Sequence, residues 1–318
     1  MNNKENKWSR ACAFAPASVG NAVVGFDILG FAFDVLGDRV EARLLDRPVI
    51  EIESINGRVR DLPTDPEKNT ASFGLLSLIK DCDLPYGFSL KIEKGIPLGS
   101  GLGGSAASAV AGVLAVNALL PQPLQKEELF SYALKGESVS SGSVHPDNVA
   151  PCLFGGLRLI LPGKSATTTK VPFPGDLLCA LIHPHFILET RKARGILNKE
   201  ISMEKYVQQS SYLATFISAC YQEDLSLLTK SLRDVIIEPQ RASLIPGFKN
   251  ARQAALDAGA HNFSISGAGP SVFSFVENRN TGIEVAKRVR EIFSSEKISS
   301  SFWISPLDNN GAKLEWVK

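Results

Sequence analysis

From residue 97 the chain reads PLGSGLGGSAASAVAGVLAVNALL, and this stretch constrains the fold more than any other. Six of the nine residues from Ile96 to Gly104 are Gly, Ser or Pro, and an apolar run from Ala106 to Leu120 follows at once. A run of about 15 residues falls short of the roughly 20 that span a membrane, so it predicts a buried helix. The preceding GFSLKIEKGI (87–96) alternates apolar and polar residues, as a half-buried strand does. The chain therefore runs strand, loose turn, buried helix. Glycines let successive amides turn toward one point, because no Cβ blocks positive φ or close approach. The unpaired N–H groups and the dipole of the helix's first turn add to them, which makes a cup for an anion such as phosphate. The competing reading is a turn whose glycines only let strand and helix pack closely.

Two familiar phosphate loops do not fit. G-x-x-x-x-G-K-[ST] needs a lysine, and the turn has none. G-x-G-x-x-G is present at Gly99, Gly101 and Gly104, but a second parallel strand ending in an acidic residue should follow. The chain offers LLPQPLQKEE there, a turn leading into a helix.

The 318 residues, 44% of them hydrophobic, suffice for one or two domains. A net charge of +1 carries no nucleic-acid footprint and no membrane-surface patch. Five cysteines, at 12, 82, 152, 179 and 220, are scattered and odd in number, which predicts reduced thiols rather than a disulfide framework or a zinc site. The polar start MNNKENKWSR leads into no signal-like apolar core, so a cytoplasmic location is expected.

Strands are expected at 11–17, 40–45, 49–54, 87–96 and 155–161, with turns through APASVGNAVVGFDILGFAFD and a loop over 57–70 that Asn69 or Thr70 ends as a helix cap. Helices are expected from 71, from about Ser105 and over 125–138, with turn signals in SSGSVHPDN. TTTKVPFPGD (167–176) is the candidate boundary between domains at 1–166 and 167–318. Beyond it come a buried strand LLCALIHP, helices over 190–198, 203–231 and 245–258, two strands around a tight turn at 261–277, a helix over 280–295 and a last strand at 301–305. This mixture argues for an α+β fold rather than regular βαβ winding.

The turn PLGSGLGGSAAS resembles the P-x-x-x-G-L-G-S-S-A signature of the GHMP kinase superfamily at Pro97, Gly101, Leu102, Gly103, Ser105 and Ala106, departing from it at Gly104, where a serine is usual. APASVGNAVVGFDILG (15–30) and SISGAGPSVFSF (264–275) resemble the family's N-terminal and C-terminal motifs, and the three lie in the family's order. Within the superfamily, Asn21 and the GFD ending at Asp27 resemble the homoserine kinases. The resemblance implies an N-terminal domain like ribosomal protein S5 domain 2, a ferredoxin-like C-terminal domain and an active site between them. It implies ATP and Mg²⁺ as cofactors, L-homoserine as the small-molecule partner, a step in threonine biosynthesis and the homodimers common among relatives.

On that resemblance, Pro97, Leu98, Gly99, Ser100, Gly101, Leu102, Gly103, Gly104, Ser105, Ala106 and Ala107 form the nucleotide loop. Ser105 and Glu137 hold the metal. Asn21 and Asp27 meet the substrate ammonium, and Arg194 and Arg241 its carboxylate, which suits a guanidinium fork. His145, Asn148 and Thr190 surround the reacting hydroxyl. Asn148 stands where mevalonate-type relatives have an aspartate, and an amide accepts no proton at neutral pH, so no dedicated base is expected; the adjacent Asp147 is the challenger. The residues around Leu62 and Pro63 are assigned to adenine from the family's layout. Taken singly, Asp27 reads better as a turn cap, Asn21 as a left-handed residue and either arginine as a surface charge; the joint match to the motifs reverses that. Another hydroxy acid such as shikimate, or nucleotide binding without turnover, are the alternatives.

Overall fold

A computed structural model describes residues 8–141, 144–163 and 166–318. The first half comprises β1 (Arg10–Gly20), β2 (Leu29–Leu45), β3 (Ile50–Gly57), α1 (Thr70–Asp81), β4 (Gly87–Lys94), α2 (Gly104–Asn117), α3 (Lys126–Ser141), α4 (Pro146–Phe154), β5 (Leu157–Leu161) and β6 (Thr167–Val171). The second comprises β7 (Leu178–Pro184), α5 (Thr190–Gly195), α6 (Met203–Gln222), α7 (Leu225–Ser231), α8 (Glu238–Arg241), α9 (Phe248–Asp257), β8 (Ser264–Ile265), β9 (Val272–Val276), α10 (Arg279–Ser295), β10 (Ser300–Ser305) and β11 (Lys313–Val317). The fold is α+β, as expected.

The larger sheet runs β11-β1-β2-β4-β3, with β5 on β2 and β6 on β5; the smaller runs β10-β7-β9-β8. Among the described residues only β3 and β4 pair in parallel, across the crossover through α1. The sheets meet through aromatic rings: Phe31 of β2 lies edge-on to Phe273 of β9 at 5.5 Å and tilted against Phe275 at 5.6 Å. One continuous core therefore ties the halves together.

At the centre lies α2. Every residue from Ala106 to Asn117 is buried. Its small side chains let β1, β2, α1 and α3 approach from several sides, which explains a helix with no polar face.

Several expectations need correction. The segment 29–34, read as turns, belongs to the 17-residue strand β2. Phe31 and Phe33 bury fully once paired with β1, and a register shift opposite Pro16 and Ala17 absorbs the residues that broke the alternation. The helix expected over 203–231 is two, because Glu223 turns left-handed at φ 54° and Asp224 starts α7 by accepting from Leu227 N at 2.9 Å. The stretch SSGSVHPDN overlaps both neighbouring helices: 140–141 end α3 and 146–148 begin α4, where turns were expected; residues 142 and 143 lie outside the described residues. The expected boundary at 166/167 cuts a hairpin, since β6 pairs with β5, and β11, beyond the strand expected to be last, returns to pair with β1. Long-range pairing of this kind leaves no local trace in sequence. Asn69 does cap α1, accepting from Ala71 N at 3.0 Å.

Candidate active site

A cavity of about 580 Å³ opens where the start of α2, the turn after β1 and the start of α5 converge. Of the eleven loop residues expected to bind nucleotide, nine, from Pro97 to Ser105, line it. Ala106 and Ala107 are fully buried, so their side chains face the core and only their main chain is available. Gly103 is the N-cap of α2 and is left-handed, at φ 66°. A Cβ there would come within 2.0 Å of Ser18 Oγ, and one at Gly101 (φ 75°) within 2.4 Å of Ser266 O. Both positions therefore demand glycine. The first-turn amides of α2, which have no helical partner, open at this end of the helix.

The cup is tied down from two sides. Ser266 Oγ donates to Gly101 O at 2.7 Å, and Ser271 N to Ser100 O at 3.2 Å. Beneath it Lys94 Nζ pairs with Asp38 and donates to Gly104 O at 2.8 Å and Ser108 Oγ at 2.7 Å. Asp38 in turn accepts from Gly95 N at 3.0 Å and Ile96 N at 3.2 Å. Three ammonium protons meet three protein acceptors, so this lysine supports the loop as found. Sequence reading missed it, although Lys94 shares the inward phase of Phe88, Leu90 and Ile92.

The turn after β1 is strained. Asn21, Ala22, Val23 and Asp27 all have positive φ, between 38° and 70°, and for β-branched Val23 this is a true outlier. Asn21 holds it: its N–H donates to Asp147 Oδ2 at 3.2 Å, its Nδ2 to Gly267 O at 2.8 Å, and its Oδ1 accepts from Asp27 N at 3.2 Å. The side chain expected to receive a substrate ammonium thus already organises the turn, with one lone pair of Oδ1 to spare.

Asp27, expected to meet that ammonium, is gripped by Arg194 through Nη1 at 2.9 Å and Nη2 at 2.8 Å. That bond raises the arginine's pKa, while its Nε is buried with no partner. Arg241, only 3% exposed, donates from Nε to Ala193 O at 3.2 Å and from Nη1 to Gly267 O at 2.9 Å. Burial first, then the charge of Arg194, pulls its pKa down to about 10.

In the same cavity Glu137 and His145 pair, Oε1 to Nδ1, at 2.9 Å. Burial opposes the charge on His145, but the bond to Glu137 prevails and raises its pKa. Glu137 is 3% exposed and its Oε2 is an orphan acceptor. Asp147 is pushed up to about 6, by burial and then by the charge of Asp27. Asn148 donates from Nδ2 to Asp147 Oδ1 at 3.3 Å and accepts from Ser18 Oγ at 3.0 Å. Thr190 begins α5 and lines the same cavity, as do Ser105 and Leu62. All the residues expected at the metal, the substrate and the hydroxyl therefore share one cavity.

The family model for the GHMP kinases N terminal domain matches residues 70–156, and that for GHMP kinases C terminal matches 216–295. A homoserine kinase from Xylella fastidiosa (strain M12) is 48% identical over 305 residues, which cover 96% of this chain and 94% of the relative. The chain belongs to the homoserine kinase family of the GHMP kinases. A homoserine kinase from Chlorobium phaeobacteroides (strain BS1) is 41% identical, with 95% and 98% of the chains covered. The crystal structure of homoserine kinase from Cytophaga hutchinsonii superposes with a TM-score of 0.93 at 39% identity, covering 99% of each chain. The tether of Lys94 and Asp38 is the part of the site that motif reading did not reach. Among the described residues no helix is long and apolar enough to cross a membrane.

Proposed function

We propose that the protein transfers the γ-phosphoryl group of ATP to the side-chain hydroxyl of L-homoserine, giving O-phospho-L-homoserine and ADP. The observation that carries this reading is the Asp27–Arg194 pair on the cavity wall. An amino-acid head group is itself an ammonium beside a carboxylate. It can exchange into this pair, ammonium to Asp27 and carboxylate to Arg194, so that each protein charge gains a partner for the one it gives up. The buried orphan Nε of Arg194 and the neighbouring Arg241 add donors for the carboxylate. Shikimate would bring a carboxylate but no cation, leaving Asp27 unpaired, so the reading favours an amino acid.

The cup from Pro97 to Ser105 holds the polyphosphate through main-chain amides and the dipole of α2. A Mg²⁺ ion fits one buried carboxylate oxygen with no other partner, Glu137 Oε2, together with the Ser105 hydroxyl, because Mg²⁺ binds through few protein groups and keeps water and phosphate oxygens. Bound there, it would neutralise charge developing on the transferring phosphoryl group. The hydroxyl oxygen forms the new P–O bond as the bond to the ADP oxygen breaks, in a loose transition state that asks mainly for alignment.

The residues around the hydroxyl orient it rather than deprotonate it. Asn148 cannot take the proton, and Asp147, whose oxygens accept from Asn21 and Asn148, serves in this reading to hold those two in place. The proton passes late to a γ-phosphate oxygen. ATP consumption measured with L-homoserine, shikimate and mevalonate in turn tests the reading. Turnover with homoserine alone is expected; turnover with another hydroxy acid and none with homoserine would sink it.

A further inference from the structure

Phe26 sits against both guanidinium groups of the site. Its ring centroid lies 5.4 Å from Cζ of Arg194 and 5.2 Å from Cζ of Arg241, each within the roughly 6 Å at which an aromatic face holds a cation. The ring does not line the cavity, whereas both arginines do. It also belongs to none of the hydrophobic clusters that make up the core. An apolar side chain outside the core needs another account of its position.

We infer that Phe26 is a positioning residue, a shared aromatic rest that sets the spacing of Arg194 and Arg241 so that both address the one carboxylate of the substrate. The inference rests on the amino-acid substrate proposed above.

The physical argument concerns which atoms each partner uses. Two guanidinium groups aimed at one carboxylate repel each other, and the charge of Arg194 already weighs on Arg241. A carboxylate placed between them would relieve the repulsion, but it would also consume the in-plane N–H groups the substrate needs. An aromatic face attracts cations through its quadrupole and makes no claim on those edges. The edges are scarce here. Arg194 gives Nη1 and Nη2 to Asp27, and Arg241 gives Nε and Nη1 to main-chain carbonyls. The ring's place is enforced by backbone: left-handed residues flank it, Val23 at φ 70° and Asp27 at φ 63°. Strain of that kind persists only where surrounding contacts hold it.

The test compares Phe26→Leu, Phe26→Met and Phe26→Tyr with the unaltered protein, measuring KM for L-homoserine, KM for ATP, kcat and the melting temperature of each. Leucine and methionine keep apolar bulk and lose the ring face, and tyrosine keeps the face. With Leu or Met, KM for L-homoserine should rise about tenfold while kcat and KM for ATP stay within about twofold. With Tyr all three should remain within about twofold of the unaltered protein. The inference is overturned if Leu and Met behave as the unaltered protein does, if Tyr loses as much as they do, or if kcat and both KM values fall away together. Two aliphatic variants keep the comparison open should one fail to fold. An unaltered protein that consumes no ATP with L-homoserine removes the substrate reading itself, a result distinct from any of these.

Discussion

Arg194 and Asp27 clasp each other through two parallel hydrogen bonds, of 2.9 and 2.8 Å, across 167 residues of chain. The bond joins the turn after β1 to the last turn of α5, and so spans the two halves of the fold. Each side chain is more than a third exposed, so the pair adds little to stability. Its use lies in the exchange it permits with a zwitterion. Replacing Arg194 with methionine should raise KM for L-homoserine by roughly 10- to 100-fold and leave KM for ATP unchanged, as expected for losing one charge-assisted contact. Steady-state kinetics with each substrate varied separately checks this; a parallel rise in KM for ATP would contradict the role.

Ser105 offers the cleanest separation of nucleotide from amino acid. Its hydroxyl lies in the cup, at the start of α2, and the arginines rise from α5 and α8. Ser105→Ala should weaken use of Mg-ATP and leave homoserine binding near normal. Titration calorimetry with each ligand reads the two effects apart, and equal loss of both would undo the assignment.

Asp147 decides the question of a base. A pKa near 6 would suit a proton acceptor, whereas the single bond that each of its oxygens accepts, from Asn21 N and Asn148 Nδ2, suits a residue that positions its neighbours. A general base contributes about 10²- to 10⁴-fold, so Asp147→Asn should cost less than about tenfold in kcat if the residue only positions its neighbours. Loss of turnover with both substrates still bound would restore the base.

How much of this could be read beforehand follows from how local each signal is. The cup was legible because glycines at 101 and 103 answer a local backbone demand, and because helix α2 announces itself in a single run of small residues. The arginines were legible only through resemblance to a family, since both lie in unremarkable helical stretches and Arg194 meets Asp27 solely in three dimensions. Strand β2 was misread because its bulge breaks the alternation that marks strands, and the return of β11 to β1 was not foreseen because pairing between distant segments has no local signal. Phe26 left no trace in composition or period: an aromatic residue in a turn looks like any other until the two cations that share it are placed.

Glu238 makes the stability of the second half depend on pH. It opens α8, the short helix that ends in Arg241, and is 5% exposed. Its Oε1 accepts from Arg252 Nη1 at 2.9 Å, and its Oε2 is buried with no partner. Burial outweighs Ser264 and Arg252, which favour the charged form, and pushes its pKa up to about 7, from an ordinary 4.5. The folded state therefore binds this proton more tightly than the unfolded chain does. The contribution to stability is full below 4.5, declines as pH rises and is lost above about 7. Glu238→Gln keeps an oxygen for Arg252 and removes the charge, so it should flatten this part of the profile. Relative to the unaltered protein, the variant should gain on the order of 2 kcal/mol between pH 5 and pH 8.5. Thermal unfolding of both proteins at the two pH values measures the difference. Parallel profiles would mean that the carboxylate finds solvent or a partner in the folded state and carries no raised pKa.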